Sequence, residues 1–228
     1  MRHGLFFLSL PLLTILVSPL CYSNPPINLS TQQKVWVQFN QTGAYAQTVK
    51  QECAAAEHYL QHRIALNNAS LHRQQLAIVM AVNNTALNHY PTLLETHFSD
   101  HPNAVMEAEA QGNEPAITPV KKLYDTARQN KVNVFFISNR RSQQRSSTLA
   151  NLNRVGYTEQ QGLYLLPQNS SDQAFKSFAT SQRAQITKQH NRIVLNISAN
   201  QEGLEGGYAD KTILLPSYHN RIISTQIK

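Results

Sequence analysis

The chain has 228 residues, 41% of them hydrophobic, which is enough for one α/β domain with a substantial core. Its formal charge is +7, but the lysines and arginines are scattered and form no basic stripe interleaved with aromatics, so a nucleic-acid-binding surface is not indicated.

The first segment carries Arg2 and His3, an apolar run from Leu5 to Val17, and then Ser18 to Ser23 ahead of the pair Pro25-Pro26. A basic start, an apolar stretch too short to span a bilayer and a cleavage region together read as a signal peptide over residues 1–23, which implies a secreted or periplasmic protein. Cleavage near Ser23 is the preferred reading. Lipidation of Cys21, as in an outer-membrane lipoprotein, is the alternative and the only route to membrane attachment, but Pro19 and Leu20 are poor neighbours for it. Loss of Cys21 leaves Cys53 alone, so the remaining chain has no intramolecular disulfide and no cysteine metal site. Asn-x-Ser/Thr triplets, at Asn83 and Asn196 among others, read as chance matches in an Asn-rich sequence.

Apolar residues at Tyr45, Val49, Cys53, Ala56, Leu60 and Ile64 have the spacing of one helical face, which makes Cys53 a buried small apolar residue. A strand over Leu76–Val82 follows, then a largely polar region over 86–116. After it come a helix over Thr118–Gln129, a strand over Val132–Ile137, a helix over Ser142–Val155 and a strand over Gly162–Leu166. A helix around Gln173–Gln189 and strands over Arg192–Ile197 and Thr212–Leu215 complete the order. Strands alternating with helices imply parallel pairing through right-handed crossovers, and the near-continuous apolar runs LAIVMAV, VNVFFIS and RIVLNIS imply strands covered on both faces. In such sheets ligands bind beyond the carboxyl ends of the strands, here the turns AVNNT, ISNRR and ISANQEG.

These turns, with Trp36 in the segment ahead of the first helix and the closing KTILLPSYH, resemble the haloacid dehalogenase superfamily over nearly the whole chain. The likeness is to the secreted acid phosphatases of class B and class C, including lipoprotein acid phosphatases and plant vegetative storage proteins. It implies a Rossmann-like α/β fold, a parallel sheet flanked by helices, with an N-terminal helical extension and a small cap insertion. On this reading residues 24–228 form a single domain, with 71–85 and 117–228 as core and 86–116 as the cap-like insertion.

The family's first motif, Asp-x-Asp-Glu-Thr-x-Leu-Asp-Asn-x-Pro, falls on residues 81–91, where Thr85, Leu87 and Pro91 match and fix the register. Ala81 then stands at the nucleophile position and Asn83 at the acid/base position, with Asn84 and Asn88 replacing two further acids. The second motif is retained as Ser138, Asn139 and Arg140. The third keeps an arginine, Arg183, but its lysine position falls on Ala179 or Thr180, with Lys176 one turn away. The fourth, Gly-Asp-x-x-x-Asp, reads Ser198 to Gly203, with Ala199 and Gly203 in place of the acids.

The family reaction needs one carboxylate to attack phosphorus and a second carboxyl to protonate the leaving oxygen and then activate water. Ala81 has no nucleophile, and an amide at Asn83 does not exchange a proton near neutral pH. The family's Mg²⁺ uses carboxylates at positions 81, 199 and 203, so the resemblance implies that this metal site is lost and that no cofactor is bound. Glu202, Glu205 and His89 are the nearby rescue candidates, while Thr85 and Ser138 lack an adjacent base. The expectation is a pseudophosphatase that binds a small phosphorylated or other anionic ligand through Asn83, Asn84, Thr85, Ser138, Asn139 and Arg140. An active acid phosphatase with an atypical nucleophile and a structural or storage protein are the alternatives.

Overall fold

Every second residue of the central strand packs to one side. In β1 (Gln75–Met80), Leu76, Ile78 and Met80 join one hydrophobic cluster and Ala77 and Val79 another, so both faces are buried, as the unbroken apolar run predicts. The computed structural model describes residues 29–99 and 101–218; the expected leader, with Cys21, lies outside the described residues. Five parallel strands form one sheet in the order β3-β2-β1-β4-β5, with β2 at Asn133–Arg141, β3 at Gly162–Leu166, β4 at Asn191–Ser198 and β5 at Thr212–Leu214.

The first cluster is covered by α2 (Ala44–Ala69), α5 (Thr118–Gln129) and Leu152 of α6 (Arg145–Arg154); the second is covered by α7 (Phe175–Lys188) through Phe175, Ala179 and Ile186. This is the three-layer, Rossmann-like α/β architecture expected from the alternation of elements. A helix ahead of α2, α1 (Leu29–Gln41), brings Trp36 against Phe39, Tyr45 and Tyr218, with ring centroids at 5.5, 5.5 and 6.5 Å. The break between α1 and α2 falls at Gly43, whose φ of 78° a residue with a Cβ disfavours. Cys53 is buried in α2 and its thiol is pushed up to about 12, first by burial and then by Glu52 and Glu57, which makes it a core residue and not a nucleophile.

The strand expected over Leu76–Val82 ends at Met80, because residues 81 and 82 already turn. Helices expected from Ser142 and Gln173 each begin with a short 3₁₀ turn before α6 and α7. The region 86–116, read as largely polar and as a cap-like insertion, carries two short helices, α3 (Tyr90–Glu95) and α4 (Pro102–Ala110), each with a proline in its first turn. Its two ends are zipped together: Leu87 bridges Ala116, Asn88 N–H donates to Pro115 O at 2.8 Å and Ile117 N–H to Ala86 O at 3.1 Å. The insertion therefore has a fixed base beside the carboxyl end of β1.

Candidate functional site

The turns after β1, β2 and β4 meet at one edge of the sheet and, with α3 and α4 above them, line a cleft of about 680 Å³. Ala81, Asn83, Asn84, Ser138, Asn139, Arg140 and Ala199 all reach it, so the sequence motifs converge as expected; Thr85 and Gly203 do not line it. Asn84 makes the turn in a left-handed conformation, φ 53°, which asparagine tolerates better than most residues.

Thr85 is fully buried, and its hydroxyl is committed to the fold: it donates to Asn83 O at 3.3 Å and accepts from Ala199 N–H at 2.9 Å. Expected to bind ligand, it instead ties the first turn to the fourth. Ser138, also buried, accepts the Arg140 N–H at 3.2 Å and lies in the cleft wall.

Arg140 lines the cleft but is held from within the protein. Its side chain is 1% exposed and its charge is consumed inside the protein: Nη2 donates to Glu114, Nε donates to Asn83 Oδ1 at 2.6 Å and lies 3.4 Å from Glu109 Oε1, and Nη1 reaches Thr148 at 3.4 Å. Asn83 is equally committed, since its Nδ2 donates to Glu109 Oε1 at 2.6 Å. Gln144 Nε2 donates to the second Glu109 oxygen. Two carboxylates from the cap region thus take up the hydrogen-bonding groups of Arg140 and Asn83 in this structure.

Glu114 anchors the other half of this network. Its Oε1 accepts from Thr92 Oγ1 at 2.7 Å and lies 2.6 Å from His89 Nδ1. Burial would raise the Glu114 carboxyl, but the His89 hydrogen bond, the Arg140 charge and Thr92 outweigh it and hold the group below the usual carboxylate range. An ionised carboxylate accepts, so Nδ1 of His89 carries the proton. The Glu114 main chain is fixed as well, by paired hydrogen bonds with the Asn151 side chain at 3.0 and 2.7 Å. His89 thus belongs to the cap's internal polar network and not to a free nucleophile.

The third and fourth motifs are also structural here. Arg183 is completely buried and donates to the main-chain oxygens of Gly203, Glu205 and Gly207, clamping the loop after β4. Lys176 pairs with Glu205 at 2.5 Å, and among the described residues no lysine lines the cleft. Glu202 is exposed at the rim. The donor set does not fit Mg²⁺: Ala81 and Ala199 offer no side-chain oxygen, and a Cβ added at Gly203 would already meet Ser198 Oγ at 3.1 Å and Phe175 at 3.3 Å. Among the described residues no group of three or more His, Cys, Asp or Glu is placed to hold a metal.

Sequence reasoning missed Glu109, Glu114, Gln144 and Arg141. Glu109 and Glu114 lie in the segment MEAEAQGNEP, whose acids show no helical or motif spacing; only the fold brings them to Asn83 and Arg140, 26 residues away in each case.

A sequence profile of the HAD superfamily, subfamily IIIB (acid phosphatase), matches residues 23–221. No curated protein sequence matches the chain. Among solved structures it is similar to the class C acid phosphatase from Bacillus anthracis, at 17% identity and a TM-score of 0.67, over 86% of this chain and 96% of that one. The tungstate-bound form of the Bacillus anthracis class C enzyme gives 18% identity and a TM-score of 0.65, over 81% and 83% of the two chains. Profile, strand order and the three convergent turns agree, and the chain belongs to the HAD superfamily, subfamily IIIB, the acid phosphatase family.

Proposed function

We propose that the protein is a pseudophosphatase: an acid-phosphatase-like protein that holds a small phosphorylated or other anionic ligand in the cleft and does not hydrolyse it. One observation carries this reading. The nucleophile position is a methyl group, Ala81, and Glu109, the carboxylate beside the acid/base position, has its oxygens held by Asn83 and Gln144 with Arg140 adjacent. A carboxylate whose two oxygens are already engaged is not free to activate water, and a methyl group cannot form an aspartyl-phosphate. The loss of the Mg²⁺ ligands is part of the same proposal.

Binding is supported by the cleft itself. Its size suits a small molecule, and it sets the polar wall of Asn84, Ser138 and Asn139 against the apolar side chains of Leu93, Val105 and Met106 from the cap. Export of the chain, with cleavage near Ser23 and a secreted or periplasmic location, completes the reading; no described helix is long and apolar enough to cross a membrane. Titration calorimetry of the purified protein with phenyl phosphate tests it. Saturable heat with the ester recovered intact is the expected result. Release of phosphate during the titration, or no saturable heat, contradicts the proposal.

A further inference from the structure

The charge of Arg140 is spent on Glu109 and Glu114, which leaves the neighbouring residue as the cleft's other arginine. β2 pairs regularly with β3 up to Ser138 and then jumps register before Arg141, an irregularity of the kind that re-aims side chains near sites. The two successive arginines consequently take opposite directions: Arg140 runs to the cap and Thr148 of α6, and Arg141 runs to Asp172 at the start of the 3₁₀ turn that leads into α7. Arg141 and Asp172 both line the cleft.

The Arg141 guanidinium is incompletely satisfied. Its Nη2 donates to Asp172 Oδ1 at 2.5 Å, whereas its Nη1 is shielded and has no hydrogen-bond partner among the described residues. The two partners are unequal in cover: the Arg141 side chain is 19% exposed and that of Asp172 is 90% exposed. An ion pair with so open a carboxylate is weakly held and screened, and Asp172 can turn to water at little cost. A guanidinium, in turn, matches the paired oxygens of a phosphate group with two parallel N–H donors.

We propose that Arg141 is the residue that holds the anionic group of the ligand, and that Asp172 is a built-in competitor which occupies the guanidinium until the ligand displaces it. This rests on the reading of the cleft as an anion-binding site and assigns to it a cation that the family motif does not contain. The ligand's oxygens would sit between Arg141 and the turn at Ser138 and Asn139, taking the Nη2 donor that Asp172 releases.

The two halves of the proposal have opposite signs and are tested together. Phenyl phosphate and inorganic phosphate are titrated by calorimetry into wild type, Arg141→Gln and Asp172→Asn, with thermal melts to confirm that all three are folded. Arg141→Gln is expected to weaken binding by about tenfold or more, the effect of losing charge-assisted hydrogen bonds. Asp172→Asn is expected to tighten it by about two- to fivefold, the range of an exposed ion pair. Unchanged affinity in Arg141→Gln, with wild type binding normally, overturns the assignment of Arg141 and leaves the pseudophosphatase reading in place. Weaker or unchanged binding in Asp172→Asn overturns the competitor role. No binding by wild type overturns both this proposal and the anion-binding reading beneath it.

Discussion

Asn83 and Glu109 together disfavour an acid at position 83. An amide there donates to the cap carboxylate at 2.6 Å and accepts from Arg140 at 2.6 Å; an aspartate would keep the second bond and turn the first into a contact between a half-buried and a buried carboxylate. Asn83→Asp is therefore expected to lower stability by about 2–4 kcal/mol, measured by chemical denaturation, and not to create activity. A gain in stability would mean that Glu109 does not stand where the structure puts it. Glu114 gives a second test. Replacing it with Gln leaves Arg140 buried without its main counter-ion, a loss expected to cost about 3–5 kcal/mol. Because the Glu114 carboxyl is held below its ordinary value of about 4.3, its contribution is present above that pH and is lost as the pH falls through the folded value. The melting temperature of wild type should thus fall on acidification below about pH 4, and part of this fall should be missing in Glu114→Gln. Equal slopes in the two proteins would show that Glu114 is not the group responsible.

At the scale of elements, the site is a cap tied to a sheet edge. Its ties are Leu87 to Ala116 at the base of the insertion, Glu109 from α4 to Asn83, and Glu114 to Arg140 at the end of β2. The loop after β4 is held separately by Arg183 on α7, through three main-chain oxygens. Arg183→Met would leave these buried carbonyls without a donor, and a loss of about 3 kcal/mol by denaturant titration is the expected outcome. Phenyl phosphate affinity in the folded variant should change little, since Arg183 does not line the cleft; a large loss would show that the loop it clamps supports the site. The helices α5 and the strand β3 were legible to the residue from apolar spacing, whereas α3 and α4 were not. Helices of six and nine residues present too few turns for a periodic stripe, and their stability comes from what they pack against.

For the whole molecule, the family fold was readable because it depends on local patterns: apolar strand runs, their order, and residues such as Thr85, Leu87 and Pro91 that fix the register of the first turn. The absence of acids at positions 81, 83, 199 and 203 was equally plain. What replaced them was not, because Glu109 and Glu114 come from the cap and meet Asn83 and Arg140 only through the tertiary fold. For the same reason Arg140 and Thr85 were read as ligand-binding from their motif positions, while the structure turns both inward. At the edge where the motif turns meet, Glu109 and Glu114 close a polar network with Asn83, Arg140, Gln144 and His89 beneath an open cleft, and a methyl group, Ala81, stands at the end of β1. The decisive measurement is steady-state hydrolysis of an aryl phosphate by the purified protein, from acidic to neutral pH, with and without Mg²⁺. The account predicts no turnover above the level of a Ser138→Ala control and no response to the metal. Mg²⁺-dependent release of phosphate by wild type, lost in the control, would contradict it.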